Sequence, residues 1–273
     1  CSEVSRAHPS RAAMNDPARR SLSFDRVAER YDDTRGDDEE IEASVTRLSE
    51  ILAESRSCLE IGVGTGRIAL PLSKRGFDLV GVDLSMRMLH KLRDKSGGAN
   101  PFPLLQADAS QLCFAAGSFD AAYAIWVLHL VPPWREVLEE LLRAVRPGRP
   151  IVVAFGGTFG KGPWEEVTRR FKSLTGARNV GAQSVDEIDA AMTALGCSVE
   201  RLDDLGVVHE VTPAEVLHRL EEATYSFTWV VDETTRRMAT GHLKSWAEER
   251  YGDLEAPLPN EFGAAWRRYT VPG

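Results

Sequence analysis

Three glycines at alternate positions, Gly62, Gly64 and Gly66, lie in the stretch LEIGVGTGRIALPL at 59–72, with Glu60 just ahead of them. Glycine has no Cβ and accepts positive φ, so such a run lets backbone approach a ligand where no side chain would fit. Further along, Asp83 closes the apolar run DLVGVD and Asp108 closes PLLQAD. Carboxylates accept hydrogen bonds from ribose hydroxyls and exocyclic amines, so a glycine turn followed by spaced acids suits a nucleoside. Dinucleotide, phosphate and other nucleoside ligands are the alternatives to separate.

Spacing separates them. A dinucleotide fingerprint G-x-G-x-x-G would put its third glycine where this chain has Arg67, which weakens a nicotinamide reading. A phosphate-binding P-loop fails as well. Gly160-Lys161 has Phe155 where the first glycine belongs and Gly162 where Ser or Thr belongs.

The elements that must position these residues alternate along the chain. Strand-like SCLEIG, DLVGVD, PLLQAD, FDAAYAI and PIVVAF are interleaved with helical stretches at 67–75, 85–95 and 134–145. Alternation of this kind predicts a parallel sheet covered by helices on both faces, an α/β doubly wound fold. In such sheets ligands bind beyond the carboxyl ends of the strands, where the strand order reverses. Glu60, Asp83, Asp108 and the pair Ile125-Trp126 are the residues at those ends.

Taken together, LEIGVGTGRIALPL, VGVDLSMRML, LLQADASQL and FDAAYAIWVLHLVPPWREVLEELLRAVRPG resemble the class I S-adenosylmethionine-dependent methyltransferases of the small-molecule type. They are similar to ubiquinone and menaquinone biosynthesis and natural-product methyltransferases, and the resemblance covers residues 24 to 156. It implies a mostly parallel, seven-stranded Rossmann-like sheet with S-adenosyl-L-methionine as cofactor and S-adenosyl-L-homocysteine as product. By the same resemblance Glu60, Gly62, Gly64 and Gly66 shape the pocket for the methionine part. Asp83 binds the ribose, Leu84 and Met88 pack beside the adenine, and Asp108 with the Ala109 amide reads the adenine edge. Ile125 offers a backbone carbonyl, and the segment AERYDDTRG brings Tyr31 and Arg35 to the methionine carboxylate. Arg35 is physically suited to a carboxylate, although Tyr31 also completes an apolar stripe with Phe24, Val27 and Ala28.

Methyl transfer needs alignment and exclusion of water more than covalent chemistry. If the acceptor is a hydroxyl, a general base helps, and His129 in WVLHLV stands where the family often has a histidine. The bland alternative is a packed structural histidine. Trp126, Trp164 and Trp229 are the expected lining of an apolar or aromatic acceptor pocket, against the plainer reading of helix-spaced aromatics as core. VPPW at 131–134 imitates a nucleic-acid methyltransferase motif, but Val131 replaces its polar residue and the segment reads as a helix start.

The formal charge of −8 with pI near 5.4, and basic residues scattered along the chain, favour a small-molecule partner over nucleic acid. Cys1, Cys58, Cys113 and Cys197 lie far apart, which favours buried thiols over zinc or disulfides, and no metal is expected. Apolar runs are too short to span a bilayer, so no membrane association and a cytoplasmic location are expected, with a homodimer as one open possibility. The domain plan is a flexible leader at 1–22, N-terminal helices over the cofactor at 23–55, the methyltransferase core at 56–212 and a C-terminal helical cap at 213–273. In that plan CSVERLDDLGVVHEVT forms the hairpin that closes the sheet, and EFGAAWRRYT is a helix of the cap. Two other functions stay open: an S-adenosylmethionine-binding relative that does not methylate, and a nicotinamide-dependent oxidoreductase.

Overall fold

A computed structural model of the chain describes residues 24–25, 28–32, 38–156, 161–203 and 205–273. The leader at 1–22 and Arg35 lie outside the described residues. Near the start, the described residues include a 3-10 turn at Ala28–Arg30. Helix α1 (Asp38–Ile51) follows, and its Ile41, Val45 and Leu48 are buried together with Leu52 just beyond it, as their spacing requires.

Strand β1 (Ser57–Ile61) leads through helix α2 (Ala69–Lys74) to β2 (Asp78–Asp83), and helix α3 (Met86–Lys95) leads on to β3 (Leu104–Gln106). Then come β4 (Ala121–Ile125), α4 (Trp134–Ala144) and β5 (Pro150–Gly156). All the pairings among these five strands are parallel, in the spatial order β3-β2-β1-β4-β5. The order reverses between β1 and β4, which opens a crevice at their carboxyl ends. Strand β4 is buried on both faces: Ala121, Tyr123 and Ile125 face the α1–α2 core, while Ala122 and Ala124 face the α4 core. Helix starts follow their caps. Ser85 Oγ accepts the Met88 amide at 3.2 Å, which fixes α3 directly after Asp83.

Helices α5 (Pro163–Thr175) and α6 (Val185–Ala194) precede β6 (Ser198–Leu202). The remaining elements are β7 (Val207–Val211), α7 (Pro213–Glu221), α8 (Glu233–Tyr251), β8 (Leu258–Phe262) and β9 (Ala264–Thr270). β9 enters the main sheet between β5 and β6, antiparallel to both, and completes seven strands in the order β3-β2-β1-β4-β5-β9-β6. Among the described residues β7 pairs with β8 alone, in a separate two-stranded sheet with His209 opposite Asn260.

Two expectations are corrected here. β6 and β7 do not form the closing hairpin, and AAWRRYT at 264–270 is a strand. The region from β7 to β8 is therefore an insertion between two strands of the sheet, so a core ending at residue 212 followed by a purely helical cap does not describe the chain. The physical reason lies in β9. Trp266 and Tyr269 are 1% and 0% exposed, one in each of the two cores that flank the sheet, and full burial of a large side chain is worth about 1.5–3 kcal/mol. Arg267, apolar in neither chemistry nor pattern, is also buried, with its Nε donating to Asp189 of α6 at 2.9 Å. The Tyr269 hydroxyl donates to the same carboxylate at 2.7 Å. Buried ions persist when paired and hydrogen-bonded, and Asp189 supplies both needs.

The insertion packs with α5 as a third core, formed by Trp164, Val167 and Phe171 against Val216, Leu220, Phe227 and Leu243. Among the described residues no helix is long and apolar enough to cross a membrane.

Candidate active site

The turn after β1 is held by its backbone. The Gly62 and Val63 amides both donate to the Val82 carbonyl, at 2.8 and 3.0 Å, so the loop is pinned to the end of β2. Gly62, Gly64 and Gly66 have φ of +71°, +55° and +80°, a region side-chain-bearing residues rarely enter. Their surroundings differ. A Cβ on Gly62 would stand 2.6 Å from Val127 Cγ2, and one on Gly66 would collide with Leu92 and Leu70. A Cβ on Gly64 would meet Met88 Cε at an ordinary 3.5 Å, so its demand for glycine comes from the turn itself. Gly62 and Gly64 line a cleft, while Gly66 serves the packing beneath α3.

Asp83 fastens this turn to the second strand. One carboxylate oxygen accepts the Gly64 amide at 2.8 Å and the other accepts the Ser85 amide at 2.8 Å. Burial raises its pKa above the usual carboxylate range, against the opposing pull of those amides. Asp108 is fixed by Ser110, whose amide and hydroxyl donate to its Oδ1 at 2.9 and 2.8 Å. Glu60 is the exception among the strand-end acids. It is buried away from the cleft lining and accepts the Tyr123 hydroxyl at 2.9 Å, and burial lifts its pKa well above normal.

The cleft encloses about 670 Å³ of space, counted together with its opening to solvent. Asp83, Leu84 and Met88 line it from the second strand and α3, and Asp108 and Ala109 from the loop after β3. Ile125 and Trp126 line it from the end of β4, and Tyr31 from the N-terminal segment. Phe24, Ala107, Val127, Leu130 and Val131 complete an apolar wall that the sequence did not single out. The signal of the last four was weak because apolar residues beyond a strand end read as helix packing, and Phe24 reads as part of an apolar stripe.

Trp126 takes a positive φ of 54° while its amide donates to the Ala154 carbonyl at 2.9 Å. Its indole nitrogen is buried and has no hydrogen-bond partner among the described residues. His129 sits in a 3-10 turn, Leu128–Leu130, with its ring edge-on to Phe155 at 6.0 Å, and it is absent from the cleft wall. Trp164 and Trp229 also stand off the cleft. Trp164 Nε1 donates to the Tyr225 hydroxyl at 2.8 Å inside the insertion's core, and Trp229 Nε1 donates to the Ala223 carbonyl at 2.8 Å. Trp229 still meets the site indirectly, because its ring lies 4.9 Å from that of Phe24, which lines the cleft.

The donor and acceptor set suits an adenosyl ligand. Carboxylates at the end of β2 and in the loop after β3 can accept hydroxyl and amine protons, Leu84 and Met88 give apolar faces for a base, and Gly64 leaves room beside the turn.

A family model described as a methyltransferase domain matches residues 59–153. The demethylmenaquinone methyltransferase of Clavibacter sepedonicus is 34% identical over 142 residues, which cover 50% of this chain and 58% of that relative. The phosphatidylethanolamine N-methyltransferase of Cereibacter sphaeroides is 33% identical over 134 residues, covering 47% of this chain and 66% of that relative. The chain thus matches less than two thirds of the length of either curated relative. Among solved structures, the YcgJ protein of Bacillus subtilis superposes with a TM-score of 0.60 at 16% identity, over 86% of this chain and 99% of that one. At that identity the likeness speaks for the fold alone.

Proposed function

The chain carries a class I S-adenosylmethionine-dependent methyltransferase domain, and from that premise we propose that it methylates a small, apolar or aromatic metabolite. The observation that carries the proposal is the double use of Asp83, which fixes the glycine turn through Gly64 and lines the cleft beside Leu84 and Met88.

S-adenosylmethionine, when bound, supplies a methyl group already activated on a sulfonium. The protein's part is therefore binding, alignment and exclusion of water. Asp83 holds the ribose hydroxyls, Asp108 and the Ala109 amide hold the adenine edge, and Leu84 and Met88 pack its faces. The turn at Gly62 and Gly64, with the Ile125 carbonyl, receives the methionine part, and Tyr31 closes over it. Arg35 is proposed as the partner of the methionine carboxylate. Glu60 acts from behind, through the turn it precedes. Trp126 is the acceptor-side residue, with the insertion carrying Trp229, and Trp164 in its core, as the cover. For a hydroxyl acceptor the proposed base is His129, which stands between the lining residues Val127 and Leu130.

Calorimetry with S-adenosylhomocysteine, against NAD as control, tests the first half: binding of the former alone is expected. Mass spectrometry then tests transfer onto candidate acceptors, beginning with a demethylated quinol and an aminoethanol phospholipid headgroup, the chemistries named for the two relatives. Binding of S-adenosylhomocysteine without transfer to any acceptor would favour a relative that does not methylate.

A further inference from the structure

The N-terminal segment is attached to α3 by two ion pairs and a set of hydrogen bonds. On α3, Arg87, Lys91 and Lys95 recur every four residues and so share one face. Three acids of the segment meet them in order. The Arg87 amide donates to Asp25 Oδ1 at 3.3 Å and its guanidinium to the Asp25 carbonyl at 3.4 Å. Lys91 pairs with Glu29, and Lys95 pairs with Asp32 at 2.5 Å.

The ends of this segment also touch the ligand cradle. Ser85 Oγ donates to Asp25 Oδ1 at 2.5 Å, one residue beyond the lining residue Leu84. Thr65 Oγ1 donates to Asp32 Oδ1 at 2.6 Å, between Gly64 and Gly66, and Lys95 Nζ donates to the Thr65 carbonyl at 3.2 Å. Phe24 and Tyr31 sit beside these two anchors, line the cleft, and meet edge to face at 5.6 Å.

We infer that Asp25, Glu29 and Asp32 are positioning residues for the adenosyl ligand: their ladder on α3 holds Phe24 and Tyr31 against the cleft, so affinity depends on exposed ion pairs and weakens with salt. The inference rests on the methyltransferase reading and adds a determinant outside the cleft wall. One exposed pair shifts an equilibrium only about 1.4- to 5-fold, but rungs acting on one segment combine to roughly tenfold. Preorganising two aromatic walls spares the ligand the cost of ordering them. Glu29 is exposed and Lys91 half-buried, so the pair remains sensitive to ionic strength.

The test measures S-adenosylhomocysteine binding to the full chain by calorimetry. Lys91→Glu is expected to raise Kd about 3- to 5-fold, and Lys91→Glu with Lys95→Glu about tenfold. Adding Glu29→Lys to Lys91→Glu exchanges the charges and is expected to return Kd to within about twofold of the original. A merely structural staple predicts no such rescue in affinity. An unchanged Kd in the double reversal, or a charge exchange that fails to restore binding, overturns the inference. If the reversals do not fold, the unaltered protein decides: its Kd should rise several-fold between about 0.05 and about 0.5 M NaCl, and a constant Kd overturns the ladder. Failure of the unaltered protein to bind S-adenosylhomocysteine at any salt overturns the methyltransferase reading itself, and the inference with it.

Discussion

Asp83 reaches back from the end of β2 to accept the Gly64 amide at 2.8 Å, so one carboxylate both shapes the glycine turn and faces the cleft it creates. The loop and the strand end are therefore a single unit, and damage to either acts on the other.

Replacing Asp83 by Ala removes charge-assisted hydrogen bonds worth about 1.5–3 kcal/mol each. S-adenosylhomocysteine affinity is expected to fall on the order of 10- to 100-fold, read by calorimetry. Wild-type affinity in this variant would remove Asp83 from the binding role.

Gly62→Ala combines a φ of +71° with a contact of 2.6 Å to Val127 Cγ2. A cost of about 1–3 kcal/mol in urea unfolding is expected from the backbone strain alone, with the collision added to it. Introducing Val127→Ala beside it should recover part of the collision and none of the strain. Full recovery would show that the turn tolerates a side chain and that only space is at issue.

Glu60 titrates higher in the folded chain than in the unfolded one because burial disfavours its charge. The folded state then binds more protons than the unfolded state above the ordinary carboxylate pKa, so stability falls as pH rises through that window. Glu60→Gln keeps an acceptor for Tyr123 and cannot ionise. Its Tm advantage over the original should widen from about pH 5 to about pH 8, each kcal/mol regained giving about 2–4 °C. Asp83, raised by burial in the same direction, contributes to the slope that remains. Parallel curves for the two proteins would contradict the assignment.

Removal of residues 264–273 deletes β9 from the interior of the sheet, together with the Arg267 and Tyr269 bonds to Asp189. Circular dichroism should show no cooperative thermal transition. A soluble, cooperatively melting product would mean that β5 and β6 are stable without the strand between them.

The first half of the sheet was legible because its signals are local. Each strand from β1 to β5 is a short apolar run separated from the next by a helix or turn signal, and Ser85 caps α3 where the sequence says a helix begins. The second half was not, because its decisive contacts are remote. Trp266 and Tyr269 stand three apart and fit a helical stripe, and Arg267 breaks the alternation that would have betrayed a strand. Its partner Asp189 lies 78 residues away. β7 likewise finds β8 across the whole insertion, with Pro259 interrupting the strand pattern. At the cleft, Gly62, Gly64 and Asp83 stand side by side as their spacing suggests, whereas Trp164 could be placed only by knowing that Tyr225 would face it. The acids Asp25, Glu29 and Asp32 gave no sign of their partners on α3.

The placement of β9 also bears on how the chain is made. Synthesis delivers β5 long before Ala264–Thr270 exists, and everything from α5 to β8 emerges in between. Until then β5 presents an unpaired edge of buried-type residues, Ile151 to Phe155, to whatever else is in solution. The growing chain depends on the insertion folding promptly and returning its far end to Leu202, opposite which Trp266 must settle. Slow maturation of the insertion would thus surface as aggregation of the sheet, a vulnerability of the nascent protein that its finished form conceals.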